Sequence, residues 1–338
     1  MNPVQQNISL KDHNTFHVDV TARYWADFSS IEALGYYFRD PKWAATPKLI
    51  LGGGSNVLFL DDFPGLVLHP AIRGIELLGE DSDSVLVWVG AGENWDGFVA
   101  EAVSRGWHGV ENLSWIPGCV GACPIQNIGA YGVEVKAVID RVEVWSIEDF
   151  QPRVIDRRSC RFGYRDSIFK HELKKSAVIT GVVFRLHKKA SFTLTYPELR
   201  AAFSAAGSAD LAAVRDAVIA IRRRKLPDPA GLANAGSFFK NPIVAESKYR
   251  QLKSRHPLMP AFRLVDGRWK IPAGWLVERC GWKGFRDGDA GVSQDHALIL
   301  VNHGRATGAQ ILALSQQITA SVADRFGIDL KPEVTIVS

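Results

Sequence analysis

Between Ile116 and Gly132 the chain reads I-P-G-C-V-G-A-C-P-I-Q-N-I-G-A-Y-G, with four glycines, two prolines and an adjacent Gln126-Asn127 pair. Glycine serves where backbone must take φ > 0 or approach another group without a Cβ in the way. Proline fixes φ and removes a donor, so the stretch is neither a regular helix nor a central strand. Shaped apolar backbone carrying N–H groups and two amides suits a large, planar, anionic cofactor. The competing reading, a surface loop, calls for more Ser, Asp and Lys than are present. A second glycine-rich stretch, K-L-I-L-G-G-G-S-N-V-L-F from Lys48 to Phe59, places Gly52, Gly53, Gly54, Ser55 and Asn56 between two short apolar runs. Such a strand–turn–strand nest can aim N–H groups at phosphate oxygens. No Lys-Ser/Thr follows the glycines, and they open no helix, so neither the Walker nor the G-x-G-x-x-G pattern is met. A hairpin turn is the alternative here. Together the two stretches suggest a dinucleotide held outside a Rossmann fold.

Three further residues have the right chemistry in telling surroundings. Ser237 lies in N-A-G-S-F-F-K-N-P, with small residues before it and aromatics after it. It is not the G-x-S-x-G elbow, and no His/Asp pairing is evident, so a nucleophilic role is disfavoured. Taken alone it reads as a structural serine. Arg165, in F-G-Y-R-D-S, can bind a carboxylate at two points and keeps its charge; a local ion pair with Asp166 is the bland alternative. Glu333, in K-P-E-V, reads on its own as an edge-strand glutamate.

These residues need a scaffold, and 338 residues suffice for about two domains, or three small ones, with a substantial core. A composition 46% hydrophobic and 22% charged is that of a soluble globular protein. No apolar run is long enough to span a membrane, and the N-terminus lacks the basic and apolar regions of a secretory signal. The expected setting is the cytoplasm. Cys119, Cys123, Cys160 and Cys280 show neither a disulfide framework nor zinc spacing, and read as free thiols. The nine histidines show no ligand spacing, so no metal site is expected. Net charge is +4. The basic run Arg222-Arg223-Arg224-Lys225 ends an amphipathic helix beginning at Asp210, where last-turn cations are ordinary, and no aromatic-rich basic surface accompanies it. Nucleic-acid binding is therefore not expected.

A strand is expected near Arg23 to Phe28, then a helix capped by Ser29 with Glu32 and closed before Pro41. Strands follow at Ile72–Leu78, Val85–Val89, Val142–Ile147 and Val178–Leu186, with a helix from Asn94 to Arg105. Pro197 to Arg224 should hold two helices. The rigid Leu226-Pro227-Asp228-Pro229 marks the best domain boundary. Beyond it the pattern is β-α-α-β: Ser237–Lys240, Val244–Arg255, Gly274–Cys280 and Ala297–Asn302. A long helix capped at Thr307 and stopped by Gly327, then a strand over Val334–Val337, complete the chain.

The two glycine-rich stretches resemble the UDP-N-acetylenolpyruvoylglucosamine reductase (MurB) family. So do N-T-F at Asn14–Phe16, F-G-Y-R-D-S at Phe162–Ser167, L-T-Y at Leu194–Tyr196 and K-L-P-D-P at Lys225–Pro229. The match continues in N-A-G-S-F-F-K-N-P at Asn234–Pro242, A-G-W-L at Ala273–Leu276 and P-E-V at Pro332–Val334. It runs over nearly the whole chain, in the family's order. It implies an α+β fold with FAD binding of the vanillyl-alcohol-oxidase type. Residues 1–70, joined by 327–338, would form a first FAD lobe, 71–226 a second, and 227–326 the substrate domain. It further implies a monomer that uses NADPH and non-covalent FAD to reduce UDP-N-acetylglucosamine enolpyruvate, a UDP-sugar, to UDP-N-acetylmuramate for peptidoglycan. By the resemblance Ser237 donates the proton, while Arg165 and Glu333 stabilise the substrate carboxylate, the glutamate with a raised pKa. FAD binding falls to Gly52–Asn56 and to Pro117, Gly118, Gly121, Ala122, Gln126, Asn127, Gly129 and Ala130. Ala122-Cys123 departs from the small hydroxyl residues common there, which bears on one or two cofactor hydrogen bonds. Substrate binding falls to Tyr164, Tyr196, Lys225 and Asn241. It extends to Phe262 and Arg263 in a substrate-closing loop, where Tyr249 is an alternative, and to His296, which reads equally as structural. Two rivals remain: a flavin oxidase of the same fold, and a non-catalytic nucleotide-sugar binding protein.

Overall fold

The computed structural model describes residues 3–204 and 209–338, so the junction between the two helices expected over 197–224 lies partly outside the described residues. Two units divide the chain. The first comprises Met1–Ile8, Ala22–Gly53 and Pro64–Arg223; the second comprises Ser9–Thr21, Gly54–Phe63 and Arg224–Ser338.

In the first unit, alternating apolar residues build two sheets. One runs in the order Gln5–Ser9, Thr21–Phe28, Phe63–Pro70, Lys48–Ile50, with Lys48 beside Leu66 in a parallel pair. Its core joins Phe28, Leu34, Tyr37, Trp43 and Leu68. The other is antiparallel, in the order Pro152–Asp156, Ile139–Ser146, Ala177–His187, Ser84–Gly90, Ile75–Glu80. The helix Trp95–Ser104, capped by Asn94 through the Gly97 N–H, packs Trp95 and Phe98 against Phe184 of this sheet. Helices Pro197–Phe203 and Leu211–Lys225 share a smaller cluster of Leu199, Val218 and Ile221.

In the second unit, Ala233–Ser237, Ile299–Asn302, Ala290–Val292 and Arg286–Asp287 form an antiparallel sheet. Thr335–Val337 pairs in parallel with Val57–Phe59. The helix Gly308–Phe326 carries the expected start and stop. Thr307 and Gln310 form a reciprocal capping box, and Gly327 ends the helix at φ 61°.

Several expectations shift. The first helix is capped by Ser30, not Ser29: Ser30 holds extended backbone and accepts the Ala33 N–H, which places Glu32 in the first turn but outside the capping box. Serine 237 ends its strand rather than beginning one. The helix after it starts at Glu246, because Ile243 and Val244 pair with Lys270 and Trp269 in a small sheet. That sheet and the Arg286–Val292 hairpin are too short for periodicity to reveal. The strands flanking Gly52–Asn56 pair in different sheets, which disposes of the hairpin alternative. The fold is α+β, as expected.

Candidate active site

The first unit carries the glycine-rich wall. Val120–Ala122 makes a single 3-10 turn, and Gly121 N–H donates to Ala91 O at 2.9 Å. A Cβ on Gly121 would stand 2.7 Å from that of Ala91, so only glycine lets the turn lie on the sheet. Farther on, Gly129–Ala130 pairs with Val133–Glu134 around Tyr131 (φ 49°) and Gly132 (φ 87°). Two successive positive φ angles match the right-handed twist of a two-residue hairpin.

The nest meets this wall backbone to backbone. A Cβ at Gly53 would lie 3.0 Å from Gly118 Cα, and one at Gly52 would lie 2.5 Å from Cys119 Sγ. Burial pushes the Cys119 thiol up, so it stays protonated and acts as packing. The two glycine-rich stretches therefore pack main chain against main chain, with no room for a side chain between them. Pro117, Gly118, Ala122, Gln126 and Ala130 all belong to this wall. Asn127 is different. It is fully buried, and its amide is committed within the protein to Gly163 O, Glu134 Oε2 and the Lys136 N–H.

Arg165 follows from the same wall. Gly163 and Asp166 close a tight turn, with Gly163 N–H donating to Asp166 O at 2.9 Å, and Arg165 sits within it at φ 52°. Its Nη2 donates to Gly129 O at 2.7 Å. Asp166 bonds His171 Nε2 at 2.8 Å. The Arg165 guanidinium lies 5.7 Å from the Tyr164 ring, and the ring of Tyr196 meets that of Tyr131 edge-on at 4.9 Å.

Two residues of this unit escaped the sequence reading. Arg222, read as an ordinary last-turn cation, donates its Nε to Trp115 O at 3.2 Å and is half-buried. Burial lowers its pKa; Tyr131 and Asp96 oppose that, while Arg165 reinforces it. Trp115, just before the wall, holds φ 58°. A bulky residue there is strained, and nothing in its neighbours' types announces it.

The second unit carries Ser237 and Glu333. Ser237 pairs with Ile299 after an irregularity that begins at Asn234. Gly236 makes this possible at φ 69°, and no atom lies within 4 Å of where its Cβ would stand. Asn234 braces the bulge, its Oδ1 accepting the Gly236 N–H at 2.9 Å and its Nδ2 donating to Leu232 O and Pro227 O. The buried Phe238 and Phe239 anchor the far side. Glu333 N–H then donates to Phe238 O at 2.7 Å, so Glu333 runs beside the Ser237 segment. Asn56 of the nest donates its amide to Glu333 O at 3.3 Å. Gly54, at φ 60°, packs where a Cβ would strike His13 O at 2.0 Å, and Ser55 follows it.

Lys225 ends the helix Leu211–Lys225. Asn241 Oδ1 accepts the Ala273 N–H at 2.8 Å, fastening the start of the helix Ala273–Arg279. His296 Nδ1 accepts the Leu298 N–H at 3.3 Å, which leaves Nε2 to carry the proton. Burial, then Lys225 and Lys283, push its pKa down, with Glu278 opposing, so it is neutral at pH 7. Phe262 and Arg263 are exposed on a short edge strand, whereas Tyr249 stacks on Trp269 at 3.7 Å and an interplanar angle of 7°. Among the described residues no cluster of His, Cys, Asp or Glu could hold a metal ion, and no helix is long and apolar enough to cross a membrane.

Residues 27–149 match the family profile described as FAD binding domain, and residues 228–337 match that of the UDP-N-acetylenolpyruvoylglucosamine reductase C-terminal domain. A Bacteroides fragilis protein named UDP-N-acetylenolpyruvoylglucosamine reductase is 47% identical over 99% of this chain and 100% of its own length. One of the same name from Chromobacterium violaceum is 46% identical over 98% of both chains. The crystal structure of the Thermus caldophilus reductase superposes with a TM-score of 0.71 at 25% identity, over 100% of each chain. Matched from end to end by relatives of that name, the chain belongs to the UDP-N-acetylenolpyruvoylglucosamine reductase family and contains an FAD binding domain.

Proposed function

We propose that this chain catalyses the NADPH-dependent, FAD-mediated reduction of UDP-N-acetylglucosamine enolpyruvate to UDP-N-acetylmuramate, for peptidoglycan precursor synthesis. The observation that carries the reading is the setting of Ser237. It sits on a bulge opened by Gly236, with the Glu333 segment bonded alongside through Phe238 O. A proton donor and a carboxylate on neighbouring segments, as reduction of an enolpyruvyl group calls for, support the reading. The full-length likeness to relatives named for this reaction supports the same reading.

Gly52–Asn56 and the Pro117–Gly132 wall would hold FAD, which when bound would supply hydride, drawn from NADPH, for the enolpyruvyl methylene carbon. The adjacent carbon is left as an enolate-like carbanion conjugated with the carboxylate. Arg165 binds that carboxylate and offsets the growing charge with a planar cation that never loses its proton. Ser237 Oγ–H protonates the carbanion; a serine is a weak acid, but a carbanion is a strong enough base to take its proton. Glu333, protonated, donates a hydrogen bond to the same carboxylate. Lys225 and the Asn241 amide suit the pyrophosphate, with Tyr164, Tyr196, Phe262, Arg263 and neutral His296 completing the substrate contacts.

In this reading residues 1–70 with 327–338, and residues 71–226, hold the cofactor, while 227–326 hold the substrate. The protein works as a cytoplasmic monomer. Anaerobic mixing with NADPH should bleach the flavin, and addition of the enolpyruvate substrate should restore its colour. Protein that stays colourless after FAD is added would instead be a nucleotide-sugar binding protein. Flavin recoloured by oxygen but not by substrate would mark an oxidase.

A further inference from the structure

Arg165 is tied to the Asn127 loop at both ends, through its turn and through its head group. Its backbone occupies the left-handed region at φ 52°, a conformation that a non-glycine residue keeps only when its surroundings enforce it. The turn that contains it begins at Gly163, whose carbonyl takes the Asn127 amide at 2.8 Å. Its head group reaches back to the Asn127 segment, with Nη2 on Gly129 O at 2.7 Å and Nη1 at 3.5 Å from Asn127 O. Asn127 is itself pinned. It takes φ 44°, is fully buried, accepts the Lys136 N–H at 3.1 Å and donates to Glu134 Oε2 at 3.1 Å, while Glu134 pairs with Lys136 at 2.7 Å. One side chain therefore ties the turn that sets the start of Arg165 to the loop that sets its end.

We propose that Asn127 is a positioning residue that aims the Arg165 guanidinium, and not a side-chain ligand of the cofactor. The proposal rests on the reading of Arg165 as the group that binds the substrate carboxylate. With the truss gone, the guanidinium keeps its charge but loses its direction, and a misplacement of about 1 Å costs on the order of 10²-fold in rate.

The test is a double-mutant cycle between Asn127 and Arg165, read in the reoxidation of reduced flavin by substrate. Asn127→Gly keeps the left-handed backbone accessible while deleting the truss. Asn127→Asp keeps the acceptor for Lys136 and removes the donor to Gly163 O, and serves if the glycine variant does not fold. Thermal melting and the FAD dissociation constant, followed by flavin fluorescence, are measured alongside. Either Asn127 variant should slow reoxidation roughly 10–100-fold in wild-type background, yet add no further slowing to Arg165→Ala. Independent factors that multiply in the double variant would overturn the proposal, as would weakened FAD binding that accounts for the whole loss. If Arg165→Ala by itself leaves reoxidation at the wild-type rate, the functional reading of Arg165 fails first, and is distinguished by that result.

Discussion

Arg215 meets Asp96 through two parallel bonds, 2.7 Å to Oδ1 and 2.8 Å to Oδ2, and the same carboxylate accepts the Trp115 N–H at 2.5 Å. One partly buried ion pair thus joins the helix Leu211–Lys225 to the first turn of Trp95–Ser104 and fixes the left-handed residue that enters the glycine-rich wall. Burial alone would raise the Asp96 pKa, but the Arg215 and Trp115 bonds outweigh it and hold the carboxyl below its ordinary range.

Asp96→Ala should therefore destabilise the protein by about 3 kcal/mol at pH 7, since it strands Arg215 as well as removing a bond. A depressed folded-state pKa contributes stability above the unfolded value of about 3.9 and loses it as pH falls through the folded value. The gap in urea midpoint between wild type and Asp96→Ala should shrink as pH drops below about 4. A gap independent of pH would show that the pair contributes nothing through its charge.

At the nest, overpacking separates neighbours. Gly52→Ala drives a Cβ into Cys119 Sγ, a side chain that can be cut back, whereas Gly53→Ala meets the backbone of Gly118. Each should weaken FAD binding by about 1–3 kcal/mol, measured by quenching of flavin fluorescence. Adding Cys119→Ala should restore affinity to Gly52→Ala and do nothing for Gly53→Ala. Equal rescue of both would refute the contact assignment.

Ser237→Ala should leave flavin reduction by NADPH nearly intact while slowing reoxidation by substrate ~10²–10⁴-fold, the usual cost of losing a general acid. Stopped-flow absorbance separates the two steps. Equal slowing of both would mark Ser237 as structural.

In the short hairpin, Phe262 keeps apolar cover without a hydroxyl, and the adjacent Arg263 can offer a phosphate a charge-assisted bond. Arg263→Ala should raise the substrate KM more than Phe262→Ala does, and Phe262→Tyr should be tolerated. Tyr249→Phe should keep KM, since the stack with Trp269 survives loss of the hydroxyl and the phosphate contact is assigned to Arg263. Wild-type binding by Arg263→Ala together with poor binding by Tyr249→Phe would hand the contact to Tyr249.

What could be read from the chain alone was whatever local backbone chemistry dictates. Four glycines and two prolines in one charge-free stretch exclude helix and central strand wherever the segment lies. Thr307 with Gln310, and Gly327 at the far end, bound a helix through bonds spanning only a few residues. The Ser30 cap shows the margin of such reasoning, because two adjacent serines are chemically equal and only the backbone angles choose between them. Tertiary structure alone decided what joins residues far apart in sequence. Asn127 reads in sequence as a candidate cofactor amide, and only packing shows its donors spent on Gly163 and Glu134; Arg222 reads as an ordinary last-turn cation, and only packing brings it to Trp115. Asp96 and Arg215 are ordinary surface types in sequence, and only packing brings them within bonding distance. Residue type states what bonds a side chain can make; which partner takes them depends on long-range packing that no local pattern encodes.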